Sequence, residues 1–198
     1  MSDQPVPDLL AALRTGTRRP HREVERVLGL PGRIRSRADL AAMLAAMLAG
    51  WQPVEEALAA VDWVPLGLDA RLGTATDLLR ADLGALATAG APAGDPAPAP
   101  EVRFDTLARA VGGRYVLLGS AMGGRIVAPV IERRLGPGWT RFLRRDGMDP
   151  DRDWATFRTA VTGYPWDGEQ REQAVESARS TFALIGATAA RSLDVPPR

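Results

Sequence analysis

The sequence predicts an all-α fold, a single-domain bundle of several helices. Apolar residues recur three and four positions apart along almost the whole chain, and no segment alternates with period two for long enough to make a convincing strand. With 198 residues, 45% hydrophobic and 25% charged, there is material for one globular domain or two small ones, and the composition is too polar for a membrane protein.

The first apolar line is Leu10, Leu13, Thr17, His21, Val24 and Leu28, with arginines and glutamates between them. This is an amphipathic helix that buries one stripe. Pro20 interrupts it, since proline inside a helix removes a hydrogen bond and crowds the preceding turn. Either the helix kinks there, or Leu9 to Gly16 is a separate turn and the histidine-bearing helix starts with Pro20 in its first turn. A second helix carries Leu40, Met43, Leu44, Met47, Leu48, Trp51, Val54 and Leu58, with Ser36 and Asp39 as its cap. A third carries Leu72, Leu79, Leu83 and Leu86.

Residues 90–100 read GAPAGDPAPAP, in which four prolines and two glycines forbid a regular helix. This Pro/Ala/Gly-rich stretch is read as a surface loop within one domain spanning residues 1–198, because neither half has a closed core of its own. A long helix follows from about Phe104 to Leu135 and breaks at Gly136 to Gly138. Short segments built on Trp139, Phe142 and Leu143, then on Trp154, Phe157 and Val161, lead to a turn at Gly163, Tyr164 and Pro165. The last helix places Ala174, Ala178, Phe182, Ile185 and Ala189 on one face and stops before the tail DVPPR. No internal repeat is present.

The zeros in the composition narrow the chemistry. There is no Cys, no Lys and no Asn, all 25 basic residues are Arg, and there is one His. Disulfides, thiolate metal sites and cysteine nucleophiles are excluded, as are a phosphate-binding lysine and a Schiff-base amine. A lone histidine does not supply the ligand sets common in catalytic zinc sites. What remains is chemistry that uses one imidazole, carboxylates or hydroxyls, or chemistry carried by a bound cofactor. A net charge of +1 with interspersed signs gives no reason to expect a nucleic-acid partner. The opening MSDQPVPD holds no apolar signal segment and no run of about 18 apolar residues occurs, so a cytoplasmic location away from the membrane is expected.

Two features stand out against this background. His21 lies on the apolar stripe of the first helix, where position alone suits a core imidazole satisfied by one hydrogen bond. Its neighbours shift the balance. Glu25, four residues on, stands where a carboxylate fixes the tautomer of a metal-bound histidine, and Arg18 and Arg14 stand one and two turns back, suited to a ligand's carboxylates. In the long helix, five glycines fall within 13 positions, at 112, 113, 119, 123 and 124. Each costs about 1 kcal/mol relative to alanine. On a helical wheel Gly112, Val116, Gly119, Ser120, Gly123 and Val127 share a face whose only polar side chain is the Ser120 hydroxyl. Such a face serves either close helix packing or the approach of a flat ligand. Taken together, the two helices suit the two sides of a planar metal macrocycle, ligated on one side and open to dioxygen on the other.

At these residues the sequence resembles the heme oxygenase family, in particular the compact bacterial enzymes that produce biliverdin and accompany bacteriophytochromes. LRTGTRRPHREVE (residues 13–25) is similar to the family's proximal helix, and YVLLGSAMGGRIV (residues 115–127) to its bacterial distal helix. Weaker similarity covers nearly the whole chain in order, through LLRADLGAL, LGPGWTRFL, DWATFRTAV and AVESARSTFALI. The resemblance implies that His21 ligates heme iron with Glu25 as its hydrogen-bond partner. It implies that Arg14 and Arg18 meet the propionates, and that Gly119, Gly123 and Gly124 line the distal side. Gly119 and Ser120 would hold the water that delivers protons. Departures from the family pattern are Leu118 in place of a glutamate, Met122 in place of a leucine, and Pro20 directly before the histidine.

The activity implied is cleavage of heme to biliverdin, carbon monoxide and iron, with heme as substrate and prosthetic group. It uses O2 and electrons from an external reductant. The chain carries no flavin or nicotinamide signature, so the electrons would come from a redox partner such as a ferredoxin or a reductase, and a bacteriophytochrome would accept the biliverdin. The alternatives are a non-catalytic heme or bilin binding or regulatory protein on the same fold, and a helical interaction protein whose glycines serve packing alone.

Overall fold

A computed structural model describes residues 8–92 and 101–193. Most of the Pro/Ala/Gly-rich loop, the first seven residues and the tail DVPPR lie outside the described residues. The elements are α1 (Leu9–Gly16), α2 (Arg18–Leu28), α3 (Arg37–Ala59), a 3-10 turn (Val64–Leu66), α4 (Thr76–Thr88), α5 (Leu107–Leu135), α6 (Arg141–Arg144), α7 (Pro150–Gly163) and α8 (Gly168–Ser192). Among the described residues there is no strand, as the period of the apolar pattern predicts.

The break near Pro20 takes the second of the two forms open to it. α1 and α2 meet at Thr17, and Pro20 occupies the first turn of α2, where its missing N–H has no intrahelical partner to lose. Thr17 keeps helical backbone (φ −104°, ψ −1°). It donates to Leu13 O (3.0 Å) and accepts from His21 N (2.9 Å). The helical phase therefore carries across the joint, and Arg14, Arg18, His21 and Glu25 stay on one side, all exposed. Leu13, Thr17, Val27 and Leu28 are buried.

α3 opens with the capping box expected of Ser36 and Asp39. Asp39 N donates to Ser36 Oγ at 3.1 Å, and the Asp39 carboxylate accepts from Ser36 N at 2.8 Å. Two expected boundaries move. Leu72 lies in the turn before α4, its carbonyl accepting from Arg114, and α5 starts at Leu107, leaving the Phe104 ring free to cover Gly113.

α5 and α8 form the most extensive contact of the bundle, flanked by α3 on α8 and by α6 and α7 on α5. α5 is long and apolar enough to meet the length and composition test for a membrane-spanning helix. Part of its apolar surface is used in the bundle, where Val111, Val116, Leu117, Ala128 and Ile131 join the core.

Two buried carboxylates tie helix ends to this core. Glu55 of α3 accepts from Ala75 N (2.6 Å) and Thr76 N (3.1 Å) at the start of α4, and from Trp51 Nε1 (3.0 Å). Asp82 of α4 is fully buried and accepts from Arg141 N (3.1 Å) and Phe142 N (2.9 Å), capping α6. Burial pushes the Asp82 carboxyl up, against the pull of those two amides and the Arg141 guanidinium. An Asp82→Ala substitution strands both amides in the interior, and a loss of about 3 kcal/mol is expected, read from the urea midpoint.

Candidate functional site

α8 is the common support of the two helices that carry the singled-out residues. Along α5, Thr106 Oγ1 lies 2.9 Å from Gln173 Oε1, and Ser177 Oγ donates to Arg109 O at 2.7 Å. Gly112 lies against Ala174 O and Ala178 N. Partner numbers rise together, so α5 and α8 run parallel. Along α1 and α2, Gly16 O accepts from Arg179 Nε at 3.0 Å, His21 meets Phe182, and Val24 meets Gly186. These helices run parallel to α8 as well. Seven residues beyond Gly112, Gly119 stands about 10 Å further along α5. That is the level of α8 at which His21 stands.

The glycines of α5 divide by what surrounds them. A Cβ on Gly112 would come within 2.1 Å of Ala174 O, on Gly113 within 2.5 Å of the Phe104 ring, and on Gly124 within 2.6 Å of Leu143 O. These three exist for close packing. A Cβ on Gly119 or Gly123 would meet nothing within 4 Å. The wheel face that touches α8 at Gly112 is thus open at Gly119 and Gly123. Met122 and Ile126 border the opening and are 61% and 76% exposed, which is unusual for side chains of their kind. α2 and α5 make no extended contact with each other. The packing reading therefore holds at Gly112, Gly113 and Gly124, and Gly119 and Gly123 are left open. Gly124 is a correction: expected to line the ligand side, it is turned toward the backbone of α6 by a 100° step from Gly123.

His21 is also placed differently from a core imidazole. Its side chain is 51% exposed, with one ring edge on Phe182 (centroids 5.6 Å apart, planes at 81°). Nδ1 lies 3.4 Å from Glu25 Oε2. That distance is long for a hydrogen bond, but it directs Nδ1 to the carboxylate and leaves Nε2 free. Arg14 and Arg18 are exposed on the same side.

The Ser120 hydroxyl sits at the margin of the open face and is engaged on two sides. It donates to Leu117 O (2.7 Å) and accepts from Arg145 Nη2 (2.8 Å). Leu118 points elsewhere: it is buried and meets Gly73, where a Cβ would lie 2.3 Å from its Cδ2. The departure from the bacterial motif at this position therefore falls on the far side of α5 from the opening.

These helices, in this order and at these relative positions, also occur in solved structures. The heme oxygenase of Neisseria meningitidis, in NO- and CO-bound forms, has a TM-score of 0.78 at 15% identity, covering 96% of this chain and 94% of that one. The heme oxygenase of Leptospira interrogans gives 0.68 at 17% identity, with 93% and 100% covered. Heme oxygenase-1 of the cyanobacterium Synechocystis, in complex with heme, gives 0.67 at 20% identity, with 93% and 92% covered. This is the heme oxygenase fold. No family model matches the chain, and no curated protein matches it by sequence.

Within the heme oxygenase fold the donor set suits heme. One imidazole is held at Nδ1 with Nε2 free, two exposed arginines lie one and two turns back on the same side of the helix, and a helix face without side chains lies at the same level of α8. Among the described residues no cluster of three or more His, Cys, Asp or Glu side chains offers a separate metal site. A groove of about 490 Å³ is a different feature. It runs along the outer side of the α2–α8 contact, past Pro20, Val24, Val27, Gly186 and Ala190, and His21 does not line it.

Sequence reasoning missed two buried arginines. Arg114 donates to Leu72 O and to Ala70 O (2.6 Å) and stacks on Trp63 at 4.5 Å, holding the turn before α4. Arg145 anchors Ser120. Burial lowers both guanidiniums to about 10. Arg114 was detectable as the one charge between Arg109 and Arg125 in an otherwise apolar stretch of α5. Arg145 sits in a short polar run, and nothing in the sequence distinguishes it from the exposed Arg144 beside it.

Proposed function

We propose that this chain is a heme oxygenase, cleaving heme to biliverdin, carbon monoxide and iron with O2 and electrons from an external donor such as a ferredoxin or a reductase. The observation that carries the reading is the half-exposed His21, steadied by Glu25, level along α8 with the side-chain-free Gly119 and Gly123 of α5. Heme, when bound, supplies the iron that activates dioxygen and the ring that is oxidised. The remaining tasks fall to the chain.

His21 presents its imidazole through Nε2, and Glu25 holds the ring orientation. Arg14 and Arg18 would offer charge-assisted hydrogen bonds to the propionates. Gly119 and Gly123 allow close approach of a flat ring to the helix backbone. Ser120 holds a hydroxyl at the margin of that face, within a region able to keep ordered water.

The test is a hemin titration followed by reduction. A saturable 1:1 complex with a Soret band is expected, and ascorbate or a ferredoxin with its reductase under O2 should then convert it to a biliverdin spectrum. Absence of a complex overturns the proposal, and a complex that never yields biliverdin leaves a heme carrier in its place.

A further inference from the structure

Arg145 is held in a way that packing alone does not require. It is the one described non-glycine residue in left-handed backbone (φ 58°), a conformation disfavoured for L side chains, and it is only 3% exposed. Its guanidinium lies 4.1 Å from the centroid of the Phe142 ring and 5.4 Å from that of Trp51. Its hydrogen bonds run to Phe142 O (3.0 Å) and Ser120 Oγ (2.8 Å), neither of them an anion. The buried carboxylate of Glu55 makes no hydrogen bond to Arg145, and its oxygens are already used by Trp51 Nε1 and the amides of Ala75 and Thr76. Asp153 lines the same small cavity as Arg145, and burial pushes its carboxyl up. The positive charge of Arg145 thus stands in the interior without a directly bonded carboxylate. One of its N–H groups is spent on the only polar side chain at the edge of the open glycine face.

A hydroxyl has one hydrogen and two lone pairs. In Ser120 the hydrogen rests on Leu117 O and one lone pair takes the Arg145 N–H. The oxygen is fixed by the arginine whichever way the hydrogen turns, and turning it off Leu117 O aims a donor polarised by a guanidinium. A charge in a low-dielectric interior is weakly screened, and a pre-oriented donor costs little reorganisation when negative charge appears beside it.

We infer that Arg145 is a positioning residue for the cleft. Acting through Ser120, it gives the Gly119–Gly123 face a fixed positive bias that favours anionic over neutral ligands at that face. This rests on the heme reading, and the test separates the two.

The ferric hemin complex is titrated with azide, an anion, and the ferrous complex with carbon monoxide, which is neutral. Ser120→Ala and Arg145→Met are each expected to weaken azide about tenfold and to change carbon monoxide by less than about twofold, with Arg145→Lys recovering most of the azide affinity. Ser120 is a small, partly exposed side chain, so its variant carries the test even if Arg145→Met does not fold. Unchanged azide affinity in the folded variants overturns the inference, as do parallel losses of azide and carbon monoxide. A wild-type chain that binds no hemin overturns the heme reading itself, and this inference with it.

Discussion

Replacing His21 by alanine is expected to remove the axial-ligand bands of the hemin complex and to weaken hemin binding by more than about 100-fold, since loss of an outer partner alone usually costs 10- to 100-fold. The fold should hardly register the change. The imidazole is half exposed and its one aromatic contact is an edge on Phe182. Exposed substitutions of this kind shift stability by about 0.5 kcal/mol or less. Glu25→Gln should keep the complex and weaken it about tenfold, because the amide still reaches Nδ1 but lacks the carboxylate's negative charge. Hemin titrations followed in the Soret region, alongside thermal melts of the ligand-free chains, give both quantities. A His21→Ala chain with an unaltered complex would remove His21 from the site.

The second large effect divides the glycines of α5. Gly112→Ala places a methyl group within 2.1 Å of Ala174 O, a backbone atom, and neither helix can yield without disturbing the central α5–α8 contact. A destabilisation of about 3 kcal/mol is expected. Gly124→Ala meets Leu143 O at 2.6 Å, with an expected cost of about 2 kcal/mol. Gly119→Ala and Gly123→Ala meet nothing, so the ligand-free chain should gain about 1 kcal/mol each from helix propensity. The same two methyl groups stand where a flat ligand would lie, and hemin affinity should fall as stability rises. Urea midpoints with and without hemin check both signs. If all four substitutions behaved alike, the division between packing and open glycines would be wrong.

That division was out of reach in the sequence. Five glycines on one helix announce a backbone that something approaches, and a wheel groups Gly112 with Gly119 and Gly123. Which of them meets α8 and which meets nothing depends on how the neighbouring helices pack around α5. For His21, the spacing to Glu25 was legible because i and i+4 are neighbours on any helix. Its exposure was not, because a stripe pattern marks the buried side of a helix without marking where the core ends. Leu118 shows the same limit: a departure from the motif, read along the chain, lies next to the glycine face, yet in space it belongs to the Gly73 side.

By itself the sequence determined the all-helical class, the cap of α3, the heme oxygenase resemblance, and the restriction to one imidazole and arginine-only cations. These follow from periodicity, local hydrogen bonding and composition, which act over a few residues or need no geometry. Only the tertiary structure decided that Gly124 packs on α6, that His21 stands out of the core, and that Arg145 reaches Ser120 from 25 residues away. The physical reason is common to all three. Each depends on the distance and angle between helices far apart in sequence, set by core packing that no local pattern records.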